Sequence, residues 1–457
     1  MSNVGLTPDQ KIYSENRLKH SYYPLLFVPV LLLCLLMGCQ LQEKAIASEN
    51  AALPTSTLPA SSAASTETAA VVLVTGTPTQ TPQRKLVIWL PPEFDPASGT
   101  PQGTLIKTRL DSFQADHSEW TIEVRLKARE GKGGLLDSLT YTTYAAPGAL
   151  PELIALPYAQ MVAAVQKGLL LPVDSLIGQD TEESWLPYTN QFSQVKQVQY
   201  GLPFAFDALV LVYHPRQITY PPTTWKELVS QTSPVVFPAA DPKASVVNTL
   251  YQSAGGNLAP SMDAPLMQEE PLQKTFSLIS TGAQSGAFPV WISNYATFDE
   301  SWEYYKSQNS GYAIAWASQY LSDPDSGTTI SPLPAIGDQQ VSRADAWVWC
   351  IPARNTGGQE ISLEFADFFA DPEFVDQFDI ASGYLPVYSS GVNQITDTDL
   401  ASTIVNLYST AQILPSDSTI NSINSLLTDS TIQIIKKELF FQNAVDQALK
   451  KKANTPQ

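Results

Sequence analysis

The chain has 457 residues, with 26 lysines and arginines against 44 aspartates and glutamates, for a formal net charge of −18. Such an acidic balance argues against a nucleic-acid partner and against electrostatic docking on anionic lipid, because both surfaces carry the same sign. With 44% hydrophobic residues overall and about 370 residues beyond a polar N-terminal stretch, the chain is long enough for two lobes with separate cores.

The N-terminal region reads as an export signal. Lys11, Arg17 and Lys19 precede the apolar run Tyr22–Met37, which is interrupted by Pro24 and Pro29 and is short for a bilayer span. A positive flank before a short apolar core predicts a secretory signal over residues 1–38. The run ends in Leu36-Met-Gly-Cys39, which resembles the lipobox of bacterial lipoproteins, with Cys39 as the lipid acceptor. The alternative is an uncleaved membrane anchor in which Cys39 has no special role. Either reading puts the bulk of the chain outside the cytoplasm, tethered to a membrane. Residues 39–84 are rich in Ser, Thr, Ala and Pro and hold too little apolar surface to offset chain entropy, so they are expected to form a disordered tether.

From Lys85 onward strand and helix patterns alternate. Lys85–Leu90 and Thr121–Leu126 read as strands, with helical spacing over Thr104–Ala115 between them. Helices are expected at Leu135–Tyr144 and Tyr158–Lys167, the latter stopped by Gly168, with a short buried strand at Glu152–Leu156 between them. This alternation predicts an α/β fold with a parallel sheet covered on both faces. Ala208–Tyr213 is almost wholly apolar and predicts a strand buried on both faces, with one acid, Asp207, at its mouth. After Pro221-Pro222, Thr224-Trp-Lys-Glu227 carries a capping hydroxyl with a glutamate three positions on, which marks a helix start. A further strand is expected at Pro234–Phe237, with a helix around Ala244–Ser253 and another in the later part of Ala264–Thr281.

Catalytic and metal-binding patterns are sparse. His117 and His214 are the histidines beyond the signal and have no cysteine or histidine at metal-ligand spacing. The sequence has no G-x-S-x-G elbow and no phosphate-binding G-x-x-x-x-G-K-[ST]. Gly131-Lys-Gly-Gly134 reads as a loop or helix entry, and Asp323–Gly327 as a plain turn. No metal and no cofactor is expected. Cys34 lies in the signal and Cys39 is the lipid candidate, which leaves Cys350 without an internal disulfide partner.

Several segments, in colinear order, resemble the extracellular solute-binding proteins that serve ABC importers, the group that includes the maltose-binding proteins. They are Leu150-Pro-Glu-Leu-Ile154, Gly168-Leu-Leu-Leu-Pro-Val-Asp174, Tyr200–Leu228, Gly311–Tyr320, Ile330-Ser-Pro-Leu-Pro334, Ala344–Ile351, Leu363–Phe374 and Gly383-Tyr-Leu-Pro386. Asp345 and Ala346 stand where the family carries glycines, and Leu156 and Ala159 where the maltose branch uses polar or aromatic contacts. The resemblance implies a two-lobe fold of the periplasmic-binding-protein type over 85–457 with a ligand cleft between the lobes. Lobe 1 takes about 85–210 plus returning segments, and lobe 2 about 215–350, with the later helices shared. It also implies a receptor and not a catalyst, a monomer that takes a small solute and hands it to an ABC permease.

Sugars present flat C–H faces and rings of hydroxyls, so their sites need aromatics and carboxylates together; the chain has nine Trp and nineteen Tyr. The resemblance nominates Asp207 as a ligand-contacting acid and Tyr320 as a stacking aromatic. Trp316, Trp347, Asp345, Tyr158, Glu93, Tyr251 and Tyr384 complete the candidates, with core packing as the alternative role of the aromatics. Trp89 and Trp225 are assigned to structure. An oligosaccharide is the expected solute. Two other readings stay open: an extracytoplasmic glycoside hydrolase, and a binder-like lipoprotein that acts as a sensor or scaffold.

Overall fold

The structure is a computed structural model and describes residues 84–173, 185–258, 267–308, 311–324, 327–353, 359–413 and 418–453. The described residues all fall within one compact unit, Pro78–Gln457. The signal, Cys39 and the Ser/Thr/Pro-rich stretch lie outside the described residues. Among the described residues no helix is long and apolar enough to cross a membrane.

Eleven strands are described: β1 Arg84–Leu90, β2 Trp120–Leu126, β3 Leu153–Pro157, β4 Gln194–Val195, β5 Val198–Gln199, β6 Gly201–Tyr213, β7 Val235–Val236, β8 Tyr312–Trp316, β9 Thr329–Pro332, β10 Ser342–Cys350 and β11 Ala411–Ile413. β4 and β5 pair with each other, and the other nine form one sheet whose main path runs β2-β1-β3-β10-β6-β8-β7. β1 pairs in parallel with β2 and β3, as strand-helix alternation predicts. β10 departs from that expectation, running antiparallel to both β3 and β6, and β6 runs antiparallel to β8 and β9. The physical reason is connectivity. Local alternation fixes the direction only of strands joined by a single crossover, whereas β10 enters the first lobe after a long excursion through the second.

β6 joins the two lobes. It starts at Gly201, well before the apolar run, and its thirteen residues are all buried. At about 3.3 Å per residue it spans roughly 40 Å, enough to traverse both lobes. Residues 201–208 pair with β10, and residues 209–213 pair with β8. In the second half, Leu209, Leu211 and Tyr213 enter one core, and Ala208, Val210 and Val212 enter the other. A strand with a core on each face needs apolar residues at successive positions, which accounts for the unbroken run. Gly201 is required where β6 meets β10: a Cβ there would lie 2.4 Å from Val348 Cγ1 and 2.8 Å from the Trp349 carbonyl oxygen.

The first core gathers around β1, β3, β10 and the start of β6, and is covered by helices Pro101–Asp116, Gln359–Phe369 and Pro372–Ser382. The second packs around helices Ser245–Ser253 and Glu269–Ser285, onto which Ser418–Ile435 and Phe441–Ala453 dock. The helix Trp225–Val229 opens on a complete capping box, in which Thr224 Oγ1 accepts from Glu227 N and Glu227 reaches back to Thr224 N. Such a cap contributes on the order of 1 kcal/mol. Trp225, 1% exposed, and Trp89, 2% exposed, are both core residues.

Candidate ligand-binding cleft

Where β6 leaves the first lobe for the second, a cavity of about 510 Å³ opens between the two cores. Lobe 1 supplies Arg129 and Glu130 from the loop after β2, Asp345 and Trp347 from β10, and Tyr384. Lobe 2 supplies the loop Asp241–Lys243, Ser245, residues 296–299, and Trp316, Ser318 and Gln319 at the end of β8. Asp207 and Arg343 sit at the join.

Asp207 is positioned by its strand and then by lobe 2. Its Oδ1 accepts from the backbone N–H of Ala208 at 2.9 Å and of Ser318 at 3.1 Å, and its Oδ2 accepts from Ser318 Oγ at 2.5 Å. A carboxylate offers about four lone-pair sites, so three donors leave one for a ligand. Burial pushes the Asp207 carboxyl up to about 7 against the pull of its Ser318 and Ala208 hydrogen bonds, and the neighbouring charge of Asp345 pushes the same way. Asp345 stands directly opposite Asp207 in the β6–β10 register. Its Oδ1 accepts from Ala346 N at 2.9 Å, and its Oδ2 takes Arg129 Nη2 at 3.2 Å. Cross-strand like charges repel, and Arg129 offsets the repulsion from the Asp345 side. Burial pulls Arg129 down, but Asp345, Tyr384, Glu93 and Glu130 raise it overall.

Trp347 is 2% exposed. Its indole N–H donates to Tyr384 Oη at 3.0 Å, its ring meets Phe94 edge-on, and the Arg129 guanidinium lies 4.9 Å from the ring centre. It therefore backs the site by holding Arg129 and Tyr384 in place. Burial raises the Tyr384 phenol, keeping it a neutral donor. Trp316, half-buried and packed on Phe298, is the aromatic best placed to lie against a ligand ring. At the cleft edge Lys243 Nζ pairs with Glu130, so an ion pair joins the two lobes. Asp241 is committed to its own loop: Oδ1 accepts from Lys243 N and Oδ2 from Ser245 N, both at 2.9 Å, and its carbonyl accepts from Thr428 Oγ1. Ala244, between them, is held at φ +48°.

Five of the nine residues nominated from the sequence, Asp207, Asp345, Trp316, Trp347 and Tyr384, line this cavity. The other four lie elsewhere. Tyr320 is 8% exposed in the first core and its hydroxyl donates to the Thr328 carbonyl. Tyr158 donates to the Gln194 carbonyl and packs edge-on against Phe192. Tyr251 is fully buried in the second core; its hydroxyl accepts from Gln268 N, and its ring occupies the space a Cβ on Gly256 would need. Glu93 is exposed just beyond β1, within electrostatic reach of Arg129 and Tyr384. Sequence reasoning missed Arg129, Glu130, Lys243 and Arg343. Arg343 was accessible to it by strand alternation, since positions 343, 345 and 347 share a face, whereas Arg129 and Lys243 stand in loops without a pattern. Among the described residues no cluster of His, Cys, Asp or Glu could hold a metal. Cys350 is free, and burial pushes its thiol well up.

Two α/β lobes joined by a through-strand, with a polar cleft at the junction, define the periplasmic-binding-protein fold. The maltose-bound MalE3 of T. maritima superposes with a TM-score of 0.64 at 15% identity, over 81% of this chain and 99% of that one. The cyclic α-maltosyl-1,6-maltose-binding protein of Arthrobacter globiformis gives 0.64 at 15%, over 81% and 98%. The chain belongs to the bacterial extracellular solute-binding protein family, whose sequence model matches residues 108–399. The maltotriose-binding protein of Pyrococcus abyssi is 23% identical over 273 residues, 54% of this chain, and the match spans 56% of that protein's length.

Proposed function

We propose that the protein is an extracytoplasmic receptor for a carbohydrate, held at the membrane through lipidated Cys39, that closes on its solute and delivers it to an ABC permease. The observation that carries the reading is the meeting of Asp207 and Asp345, on adjacent strands at the hinge, with Trp316 across the cleft. The two carboxylates retain free lone pairs for sugar hydroxyls, and the indole offers a face to a pyranose ring. Maltose-type ligands in related proteins, together with the family's extracellular character, support the same reading.

A ligand that touches both lobes shifts the equilibrium toward closure only by its differential affinity for the closed state. The Glu130–Lys243 pair joins the two lobes and is the kind of contact that closure would add. Titration calorimetry against a glycan panel, with small-angle scattering on the same samples, tests the proposal. The expected outcome is heat of binding from at least one carbohydrate, a fall in radius of gyration, and no turnover of the sugar. A panel that gives no heat, or binding with hydrolysis, contradicts it.

A further inference from the structure

The geometry points to an acidic sugar, one bearing a carboxylate, as the solute, with Arg343 as the residue that receives the charge. This rests on the carbohydrate reading and narrows it. The cleft lining holds three cations and five carboxylates, and most of these charges are already committed. Arg129 pairs with Asp345 and Lys243 with Glu130. Asp207 and Asp241 accept backbone N–H groups, and Asp299 accepts from Gln319 Nε2 at 2.8 Å. Arg343 is the exception.

Among the described residues Arg343 makes no ion pair. Its one side-chain hydrogen bond donates from Nη1 to Ser245 Oγ, and its Nε is sealed from solvent without a partner. A guanidinium has five N–H donors, so four remain unused. Burial pulls the Arg343 guanidinium down overall, and Asp345 and Asp241 offset only part of this from a distance. Leaving a partly buried guanidinium unpaired is costly, and the cost is reduced when a ligand carboxylate docks on its planar edge, a geometry that suits carboxylate in particular. Arg343 is also placed for a sugar, because its guanidinium carbon lies over the Trp316 ring, 5.9 Å from its centre. A pyranose lying against that indole beside the guanidinium would bring a ring substituent within reach of Arg343, whereas a doubly charged phosphate would confront the surrounding carboxylates.

The test is calorimetry on the full-length protein with matched disaccharides: galactobiose with digalacturonic acid, and cellobiose with cellobiouronic acid. At least one acidic member is expected to bind about ten-fold or more tighter than its neutral counterpart. Arg343→Gln should bring the two within about two-fold of each other, and Arg343→Lys should keep part of the preference. Neutral members binding as tightly as acidic ones in the wild type would overturn the inference and leave the carbohydrate receptor standing. Silence across both halves of the panel would also overturn the inference, while the carbohydrate reading is decided by the wider glycan panel. The wild-type comparison decides the matter even if Arg343→Gln fails to fold, and retention of the acidic preference in a folded Arg343→Gln would equally overturn it.

Discussion

Asp207 and Asp345 face each other across neighbouring strands at the cleft, whereas Asp376 and Asp379 stand one helical turn apart on Pro372–Ser382, inside lobe 1. Burial, the largest cause in each case, raises the carboxyls of Asp207, Asp376 and Asp379. Their surroundings differ. Asp207 and Asp345 are gripped by backbone donors and by Arg129 while still lining open space. Asp379 is fully buried, accepts from Val387 N at 3.3 Å, and keeps its Oδ1 without a partner; Asp376 accepts from Gln394 Nε2 at 3.2 Å. A carboxyl raised by burial with one oxygen unsatisfied, as at Asp379, ties its helix to the segment that follows, residues 387–394. A raised carboxyl thus marks a site only when donors orient it toward accessible space.

The largest effect that would break this contrast is expected from Asp345→Ala. It removes two acceptors from the cleft and leaves Arg129 without its ion pair, so affinity should fall on the order of a hundred-fold, about 3 kcal/mol by calorimetry. Trp316→Ala should cost about ten-fold in affinity through lost stacking, with little change in melting temperature, because the ring is half-buried.

Acidity separates the pairs next. The Asp207 carboxyl lies at about 7 in the folded chain against an ordinary 3.8, so the folded state holds its proton more tightly than the unfolded one. Its contribution to stability is therefore greatest at low pH and declines as pH rises from about 4 to about 7, then levels off. Melting temperature of the unliganded protein should follow that slope, and Asp207→Asn should flatten it. Asp379→Asn should flatten a slope of the same sign, because its carboxyl is also raised, yet leave sugar affinity unchanged. A change of more than two-fold in that affinity would show that the lobe pair is not purely structural.

Much of the scaffold was legible in the sequence because its signals are local. The run Ala208–Tyr213 announced a strand with a core on each face, and Thr224 with Glu227 announced a helix start that the structure realises as a complete capping box. Asp207 could be singled out as an acid beside such a run. The partners that give it meaning could not: Arg129 meets Asp345 across 216 residues and Lys243 meets Glu130 across 113, distances at which spacing carries no information. Tyr251 and Tyr320 have the side-chain chemistry that binding aromatics share with ordinary packing, and their burial sets them in the two cores. The antiparallel entry of β10 was hidden for a related reason, since strand direction follows the path of the whole chain.

Under the proposed function, the cleft carboxylates serve the ligand while the lobe carboxylates serve the fold. Titration of one bound carbohydrate into wild type, Asp207→Asn and Asp379→Asn, each checked for folding, tests this division most directly. The predicted result is wild-type affinity in Asp379→Asn and a loss of about ten-fold or more in Asp207→Asn; equal losses in both variants, or full affinity in Asp207→Asn, would contradict it.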